Sequence, residues 1–335
     1  MISCLRGAGV EVLERHAPVW EGRRESWSAG AGTAARLAAA EMRLARPLPP
    51  CDAVVVGYPG HADMPLARVL ARSRPLVFNP LVSLSDTLVG DRGRFRAGSV
   101  AARALAAVDR VALRAADLVV ADTEANADFL ARLGDLPRSE VEVCFVGAEE
   151  RVFRPGWYPD DPFTCLFVGK LIPLHGLETI LEAARIAPEL PFRLVGSGQL
   201  EALLERRSAN VEWVPWVEYE LLPGELHRCG CALGIFGTSP KALRVIPNKV
   251  FQALVCGAPV VTGDTPAARE LLADGESALL VPPGDPQALA AALRRLRDDP
   301  GLARRIAAGG AAQYREHASE AVLGARWRRL LEALV

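Results

Sequence analysis

The stretch Val245-Ile-Pro-Asn-Lys-Val-Phe-Gln-Ala-Leu-Val-Cys-Gly-Ala-Pro-Val-Val-Thr-Gly-Asp264 predicts one αβ unit of a parallel sheet. Pro247 and Asn248 are residues that begin helices, and Gly257 is placed to end one. The apolar run at residues 259–262 is typical of a short buried strand. Ligands bind beyond the carboxyl ends of strands in such sheets, so this unit predicts an α/β fold and also a place for a site.

The beginning of that helix has two interpretations. Unpaired backbone N–H groups and the helix dipole favour a bound phosphate there, and Lys249 lies in the first turn. Alternatively, the unit is an ordinary buried crossover with a capped helix, of which every α/β protein has several. The stretch alone favours the second interpretation, so the first depends on what the rest of the chain adds.

The composition is that of a soluble globular protein of about two domains. The chain has 335 residues, of which 50% are hydrophobic and 24% are charged. Its net charge of −1 provides no global field for nucleic acid or anionic lipid, so any charged partner must be bound locally. No apolar run reaches the roughly 20 residues of a membrane span, and the first residues lack the pattern of a secretory signal. We therefore expect a cytoplasmic protein and no nucleic-acid partner.

The seven cysteines are scattered, odd in number and in several cases part of apolar runs. A reduced cysteine in such a run acts as a small hydrophobic residue. Cys229 and Cys231 form the only close pair, and no second Cys/His pair has the spacing of zinc ligands. We expect reduced, structural cysteines and no metal site.

The first residues predict the end of a helix, a glycine stop at residues 7–9 and a strand at residues 10–13. A doubly wound domain normally opens on a strand and a glycine-containing turn, and neither precedes this helix. The first strand is therefore missing from the predicted order of elements. We expect in-frame codons upstream of Met1 to encode a short apolar strand and such a turn, and a stop codon directly upstream would contradict this.

The rest of the N-terminal half alternates strands and helices. A polar stretch with Trp20 and Trp27 precedes a predicted helix at residues 33–44. Further strand–helix pairs follow as far as residue 147. The proline-rich residues 152–162 predict the interdomain linker.

Polar residues follow two of these strands where each strand ends. His61 lies just past the strand at residues 51–56, and Asn79 begins the exit loop of the next strand. Both positions are candidates for a ligand site, although His61 can equally be satisfied within the structure. Asp86 can serve as a catalytic carboxylate or cap the following segment, which is the commoner use of a Ser-Leu-Ser-Asp run.

Six arginines lie between residues 91 and 114 and surround an Ala/Val/Leu helix. They are Arg92, Arg94, Arg96, Arg103, Arg110 and Arg114. The favoured interpretation is a solvated helix face with ion pairs to Asp91 and Asp109. The alternative is a patch that touches anionic lipid or an acceptor phosphate, which would place the protein peripherally at the inner membrane surface.

The second half restarts with a strand that ends at Gly169. Lys170, His175 and Gly176 follow at once and lead into a helix. A strand end, a glycine, two potential cations and a helix N-terminus thus converge within eight residues, and phosphate is their natural ligand. The turn Gly196-Ser-Gly repeats the strand-to-glycine pattern but lacks the third glycine of a dinucleotide fingerprint.

Five motifs in order resemble the retaining, nucleotide-sugar-dependent glycosyltransferases of family 4. They are Val168-Gly-Lys with His175-Gly-Leu, Leu194-Val-Gly-Ser-Gly, Asn248 to Val261, Arg269-Glu-Leu-Leu-Ala-Asp-Gly, and Leu280-Val-Pro-Pro-Gly-Asp-Pro. Each is weak by itself, but the ordered set spans more than a hundred residues. The resemblance implies the GT-B fold of two facing Rossmann-like domains with parallel sheets. It also implies an acceptor-side domain at 1–155, a donor domain at 156–319, and a last helix at about 320–335 that packs back on the first domain.

The resemblance further implies roles for individual residues. Lys170 and His175 stand where family members hold the donor pyrophosphate with Arg and Lys, and His175 keeps a charge only when it is protonated. The family's two glutamates fall at Arg244 and Gln252. Gln252 can still accept a hydrogen bond from the ribose, whereas Arg244 can accept none. Lys249 and its helix N-terminus would take over part of the phosphate binding.

The other predicted site residues also follow from the resemblance. Gly169, Gly176 and Gly196 complete the donor site, while His61 and Asn79 would face the donor across the cleft from the acceptor side. Family members often have a histidine where Asn79 stands. The family uses no metal, and this chain has no Asp-x-Asp donor-metal motif.

The predicted function is transfer of a sugar, with retention, from a nucleoside diphosphate sugar to an acceptor hydroxyl. The acceptor would be a glycan, a lipid-linked molecule or a small molecule, and no cofactor is expected beyond the donor substrate. One alternative is a catalytically silent sugar-nucleotide-binding or scaffold protein, which is motivated by Arg244, Gln252, His175 and the missing first strand. The other, less favoured, is a sugar-nucleotide 2-epimerase on the same fold.

Overall fold

The computed structural model describes residues 1–19, 31–160 and 162–335. Within these ranges the chain forms two separate parallel sheets packed with helices, which confirms the predicted α/β class. The polar stretch with Trp20 and Trp27 lies outside the described residues, as does Asp161 of the predicted linker.

Four parallel strands form the N-terminal sheet in the order β1-β2-β3-β4. The helices and strands of this part are α1 (Ile2–Gly7), α2 (Ala31–Leu44), β1 (Val54–Val56), α3 (Asp63–Ala71), β2 (Leu76–Phe78), a π-helical turn (Asp86–Asp91), α4 (Val100–Arg114), β3 (Leu118–Ala121), α5 (Glu124–Gly134) and β4 (Val141–Val143). The two central strands, β2 and β3, are buried throughout, as apolar runs predict for parallel strands. In contrast, β1 at the sheet edge is only partly buried.

Six parallel strands form the second sheet in the order β10-β9-β8-β5-β6-β7. The elements of this part are β5 (Cys165–Val168), α6 (Leu177–Ile186), β6 (Phe192–Val195), β7 (Val211–Val214), α7 (Leu222–Arg228), β8 (Cys231–Leu233), α8 (Asn248–Cys256), β9 (Val260–Gly263), α9 (Pro266–Arg269), β10 (Leu279–Val281), α10 (Pro286–Asp298), α11 (Pro300–His317) and α12 (Glu320–Glu332). The strand order reverses between β5 and β8. The crevice at such a reversal is where α/β sheets bind ligands.

The stretch at residues 245–264 forms the αβ unit that its sequence predicts. Pro247 caps α8, and Gly257 ends that helix in the left-handed conformation with φ of 80°. Val250 and Phe251 lie in the core that α8 shares with β9 and Tyr314 of α11. This helix therefore joins the sheet to the C-terminal helices and carries its first turn to the ligand-binding edge.

The predicted strand at residues 10–13 is wrong, because these residues form no ladder with any strand of the described chain. Their side chains nevertheless alternate as in a strand. Val10 and Val12 pack against the core around α1, whereas Glu11 and Leu13 are exposed. A strand needs a neighbour to take up its backbone groups, and β1 is the last strand on this side of the sheet.

The last helix, α12, packs against α1 at the beginning of the chain. Leu323 and Trp327 are buried with Cys4 and Leu5 in one apolar cluster. At the helix start the Ser3 hydroxyl donates to Glu320 at 2.6 Å. The chain thus crosses back from the C-terminal sheet to cover the N-terminal one.

The predicted ion pairs between Asp109 and the arginines of α4 are wrong. Asp109 is fully buried and accepts hydrogen bonds from the Ser83 hydroxyl at 2.7 Å and the Ser85 hydroxyl at 2.6 Å. It also accepts from the backbone N–H groups of residues 84 and 85, and it lies 3.3 Å from Nε2 of His61. The carboxylate therefore organises the loop after β2 from the inside rather than a solvated helix face.

All seven cysteines are unpaired, and six of them are buried. Across residues 1–19, 31–160 and 162–335, no helix is both long and apolar enough to cross a membrane.

We predict that Asp109→Ala lowers the free energy of unfolding by about 3–5 kcal/mol, because it leaves two hydroxyls and two backbone N–H groups buried without their shared acceptor. Thermal or urea unfolding measures the loss. The matched control is Asp128→Ala, which removes from α5 an exposed partner of Arg138 and should change stability by less than about 1 kcal/mol. Equal losses in the two variants would contradict the organising role of Asp109.

Candidate active site

A cavity of about 1490 Å³ runs along the N-terminal sheet edge and into the cleft between the two sheets. On the cleft side its lining includes Asn79 from the end of β2 and Asn248 and Gln252 from α8. These residues come from both halves of the chain, so the cavity reaches from the end of β2 to the start of α8, whereas no described residue between 152 and 218 lines it. Such a crevice is where ligands bind in α/β folds.

The ends of β5 and β6 approach each other closely at the edge of this cleft. Gly196 has φ of 140°, and a Cβ there would lie only 1.9 Å from the carbonyl oxygen of Gly169. The Gly169 N–H in turn donates to the Val195 carbonyl at 2.9 Å. Only glycine fits at residue 196, so the two predicted glycines bring bare backbone to the place where a ligand would lie.

Gly176 holds the N-terminus of α6 beside this backbone. It is left-handed with φ of 68°, and a Cβ there would lie 2.5 Å from the backbone of Phe236 just beyond β8. The first N–H groups of α6 have no partner within their own helix. They are therefore available to an anion at the reversal of strand order.

The ammonium group of Lys249 lies beneath Gly169. Its Nζ is shielded from solvent, has no hydrogen-bond partner among the described residues, and sits 3.7 Å from the centre of the Phe167 ring. A Cβ on Gly169 would lie 2.8 Å from this Nζ. Burial lowers the pKa of Lys249 well below its ordinary value, because the charged form lacks both water and a counter-ion. An anion at Gly169 would supply that counter-ion.

His175 does not supply the positive charge that its predicted role requires. Its ring is buried, its Nδ1 contacts the Lys170 carbonyl at 2.5 Å, and its edge packs on Phe167. Burial lowers its pKa well below the ordinary value, and the charge of Lys249 lowers it further. A neutral ring therefore fixes the backbone of Lys170 and leaves the cationic role to the two lysines.

Gln252 lies on the cleft side of α8, one turn after its start. It lies beside the hydroxyl of Tyr219, whose ring packs edge-on against Phe153. Both Gln252 and Tyr219 line the cavity. Tyr219 has no signal in the sequence, because it lies in a short turn without a recognised motif.

Arg244 and Asp86 form an ion pair that connects the two halves of the chain. The guanidinium of Arg244 donates to Asp86 at 2.7 Å and stacks 3.9 Å from the centre of the Phe129 ring. The Thr123 hydroxyl donates to the Arg244 carbonyl at 2.5 Å. Asp86 therefore neither caps a helix with its side chain nor stands free as a catalytic carboxylate.

Two further contacts cross the same interface. The buried Lys241 donates to the Thr87 hydroxyl at 2.7 Å. The carboxylate of Glu270 accepts from the first backbone N–H groups of α5, those of Glu124 at 2.7 Å and Ala125 at 3.0 Å. One half of the chain thus caps a helix of the other.

Arg92 adds a cation from the N-terminal half that sequence reasoning assigned to a solvated helix face. It follows the π-helical turn, its Nε lies 3.5 Å from Asp91, and its carbonyl accepts from Gln199 at 3.3 Å. Burial lowers the pKa of Lys170, and the charge of Arg92 lowers it further. Arg92 therefore belongs to the cleft, next to the predicted donor site, and its signal in the sequence was hidden among five other arginines.

The two predicted acceptor-side residues are both engaged within the N-terminal half. Nδ1 of His61 contacts the Pro59 carbonyl, its Nε2 faces Asp109, and burial lowers its pKa. A substrate could reach this ring only if that network opened. Asn79 donates to the Val120 carbonyl at 2.8 Å but lines the cavity as well, so it stays the better placed of the two.

No cluster of three or more His, Cys, Asp or Glu side chains with metal-binding geometry occurs in the part of the chain that the structure describes.

Solved structures share this arrangement of two facing domains. HepE from Anabaena, in complex with UDP-glucose, matches with a TM-score of 0.68 at 18% identity, over 89% of this chain and 82% of that one. Sucrose-phosphate synthase from Thermosynechococcus elongatus matches with a TM-score of 0.71 at 18% identity, over 84% and 73% of the two chains. The fold is GT-B. The fold that the sequence resemblance implies is therefore confirmed.

Sequence comparison gives this GT-B chain a family match in its second half and relatives that match over more than half of its length. Residues 162–299 match the family model described as Glycosyl transferases group 1. A D-inositol 3-phosphate glycosyltransferase from a Nocardioides species is 32% identical over 237 residues, 61% of this chain and 51% of its own length. Alpha-D-kanosaminyltransferase from Streptomyces kanamyceticus is 26% identical over 221 residues, 63% and 56% of the two chains. The chain spans about half the length of the curated relatives that it matches.

We predict that Lys249→Met raises the free energy of unfolding of the ligand-free GT-B protein by about 1–3 kcal/mol, because it replaces a buried amino group that has no partner with an apolar side chain of similar length. Thermal unfolding without ligand measures the gain. Lys241→Met is the matched control and should destabilise, because Lys241 has a partner in Thr87. A loss of stability in Lys249→Met would contradict the absence of a partner for Nζ.

Proposed function

We propose that this GT-B protein is a glycosyltransferase that moves a sugar from a nucleoside diphosphate sugar to an acceptor hydroxyl with retention. The observation that carries the proposal is the buried Nζ of Lys249 beneath Gly169, at the point where β5, β6 and the start of α8 meet. A diphosphate at this point would pair with that group. The names of the sequence relatives and of the solved UDP complexes support a nucleotide-sugar donor.

In the proposed reaction the site stabilises the nucleoside diphosphate as it leaves the sugar. The bond between the anomeric carbon and the diphosphate oxygen breaks, the diphosphate keeps the electron pair, and the acceptor oxygen forms the new bond as it loses its proton. Lys170, Lys249 and the N–H groups at the start of α6 are preorganised for the negative charge that develops. Because these groups can take the role that a metal ion has in other transferases, we propose metal-independent transfer.

The remaining parts of the donor have matching places in the cleft. Gln252 can accept a hydrogen bond from a ribose hydroxyl through its amide oxygen, and Tyr219 lies beside its side chain. Asn79 lies on the opposite side, at the end of β2, where an acceptor hydroxyl would approach. Positioning the acceptor against the anomeric carbon supplies the rest of the catalysis.

The silent scaffold has one structural observation in its favour. Arg244 stands where the family's sugar-contacting glutamate is expected. Its guanidinium pairs with Asp86, and it offers no hydrogen-bond acceptor to a donor sugar. The relatives' names favour a transferase over both this alternative and the 2-epimerase. Transfer to an acceptor would distinguish the first, and isomerised donor without acceptor would identify the second.

The proposal also covers the class of acceptor and the place of the protein in the cell. Relatives are named for transfer to an inositol phosphate and for an aminosugar transfer, so glycan, lipid-linked and small-molecule acceptors all stay within it. Peripheral contact with the inner membrane surface is part of the same proposal, since exposed arginines such as Arg94 and Arg96 remain near the cleft residue Arg92.

The first test is the thermal shift of the purified protein with UDP, GDP, ADP and dTDP. At about 100 times its dissociation constant, a bound nucleotide stabilises the fold by about 2.7 kcal/mol, or several degrees in Tm. We predict one clear responder, whose shift is lost in Lys170→Ala and in Lys249→Met. Arg206→Ala, which removes an exposed cation of the same half, is the control and should respond like the parent.

The result that would replace this proposal with the silent scaffold is specific. In that result one nucleotide shifts the Tm, but its sugar derivative releases no nucleoside diphosphate with any acceptor tried. The absence of a response to all four nucleotides would instead contradict the donor site itself.

A further inference from the structure

The π-helical turn Asp86–Asp91 carries a buried carboxylate at the interface between the two halves. The Asp91 side chain is only 1% exposed, and neither of its oxygens has a hydrogen-bond partner among the described residues. Nε of Arg92 lies 3.5 Å from one oxygen but makes no hydrogen bond either. Burying a carboxylate without donors is costly, and π-helical turns are frequent at functional sites. The fold therefore leaves this carboxylate without the donors that it needs.

Three other acidic side chains at this interface do have donors. Asp86 accepts from Arg244 at 2.7 Å, and Asp122 accepts from a side-chain amide of α5 at 2.6 Å. Glu270 accepts from two backbone N–H groups of α5. The interface thus satisfies these carboxylates, and Asp91 differs from them. A buried carboxylate that the rest of the protein leaves unsatisfied is a candidate for contact with a ligand.

Asp91 faces the part of the C-terminal half that leads into the candidate donor site. The backbone of Leu174 and the ammonium group of Lys241 lie near the carboxylate, although neither hydrogen-bonds to it. Leu174 is two residues before Gly176, which caps the N-terminus of α6. Burial raises the pKa of Asp91, and the charges of Lys241 and Arg92 oppose this rise. The carboxylate therefore lies next to the place where a diphosphate would bind.

The hydroxyl groups of a sugar are donors of the kind that Asp91 lacks. In the proposed function a sugar is attached to the diphosphate, so it lies in the same cleft as the start of α6. The two oxygens of a carboxylate can accept hydrogen bonds from two neighbouring hydroxyls. Arg244 cannot accept any, because a guanidinium has donors only, and Asp86 is already engaged by it. Asp91 is therefore the carboxylate of this turn that is left for a sugar.

We propose that Asp91 recognises the donor sugar by accepting hydrogen bonds from two of its hydroxyls. This inference rests on the proposed function, because it requires a nucleoside diphosphate sugar at the start of α6. Leu174 and Lys241, which face the carboxylate, belong to the C-terminal half. Separation of the two halves therefore admits the sugar between them. The N-terminal half then contributes to donor specificity and not only to the acceptor side.

The experiment compares the binding of a nucleoside diphosphate with that of its sugar derivatives. The probes are the nucleotide that shifts the Tm, out of UDP, GDP, ADP and dTDP, and its glucose, galactose and mannose derivatives. Titration calorimetry gives their dissociation constants for the parent and for Asp91→Ala. Affinity for the tightest sugar derivative should fall about tenfold or more, because hydrogen bonds to a charged group are lost. Affinity for the bare nucleotide should change by less than about threefold, since Asp91 does not contact it.

Further variants and ligands separate sugar recognition from a structural role. Asp91→Asn keeps the size of the side chain and one acceptor oxygen, so its loss of affinity should be smaller than that of Asp91→Ala. Monodeoxy forms of the sugar derivative each lack one hydroxyl, and two of them should bind the parent about tenfold more weakly. Asp91→Ala should bind these two as well as the complete sugar, because their partner is gone. Asp128→Ala removes an exposed acid of the same half and should bind every probe as the parent does.

Two results would overturn this inference and leave the donor site intact. Equal losses of affinity for the nucleotide and its sugar derivative in Asp91→Ala would mean that Asp91 only supports the interface. Unchanged affinities for both would mean that the sugar does not contact it. A parent protein that binds none of the four nucleotides would instead contradict the proposed function, and this inference with it.

Discussion

The contact between Gly169 and Lys249 is the constraint on which the C-terminal site depends. It brings together the end of β5 and the first turn of α8, and Gly196 closes against the same backbone from β6. An amino group held there without water or a counter-ion is costly to the fold. The ordered backbone around it, including the Lys170 carbonyl fixed by His175, keeps that group in place. The site therefore holds the Lys249 amino group in place before binding, and an anionic ligand would supply its counter-ion.

The second constraint is the interface between the two halves. The ion pair of Arg244 with Asp86 and the bond from Lys241 to Thr87 both join the segment before α8 to the turn after β2. These contacts tie the two walls of the cleft together close to the candidate donor site. Arg244, which stands where the resemblance places a glutamate, therefore has a structural partner of its own in Asp86.

The sequence predicted the fold because the fold depends on local patterns, and the same patterns mark the glycines around the candidate donor site. The strand ends, the glycine at residue 196 and the αβ unit at residues 245–264 are set by short-range sterics and apolar periodicity. The errors concern contacts between distant residues. The sequence pairs Asp109 with arginines of its own helix, although its partners lie in the loop after β2, and it does not show that His175, a potential cation, is buried. Arg92 and Tyr219 have no local signal, since their position depends on how the two halves meet.

Glu270 gives the interface a further property. Its carboxylate accepts from the first two N–H groups of α5, while the N-cap residue Thr123 accepts from the third. The two halves cannot separate without releasing two amide groups at that helix end. Opening of the cleft therefore exposes the helix end of one half and the carboxylate of the other, and both must then be hydrated.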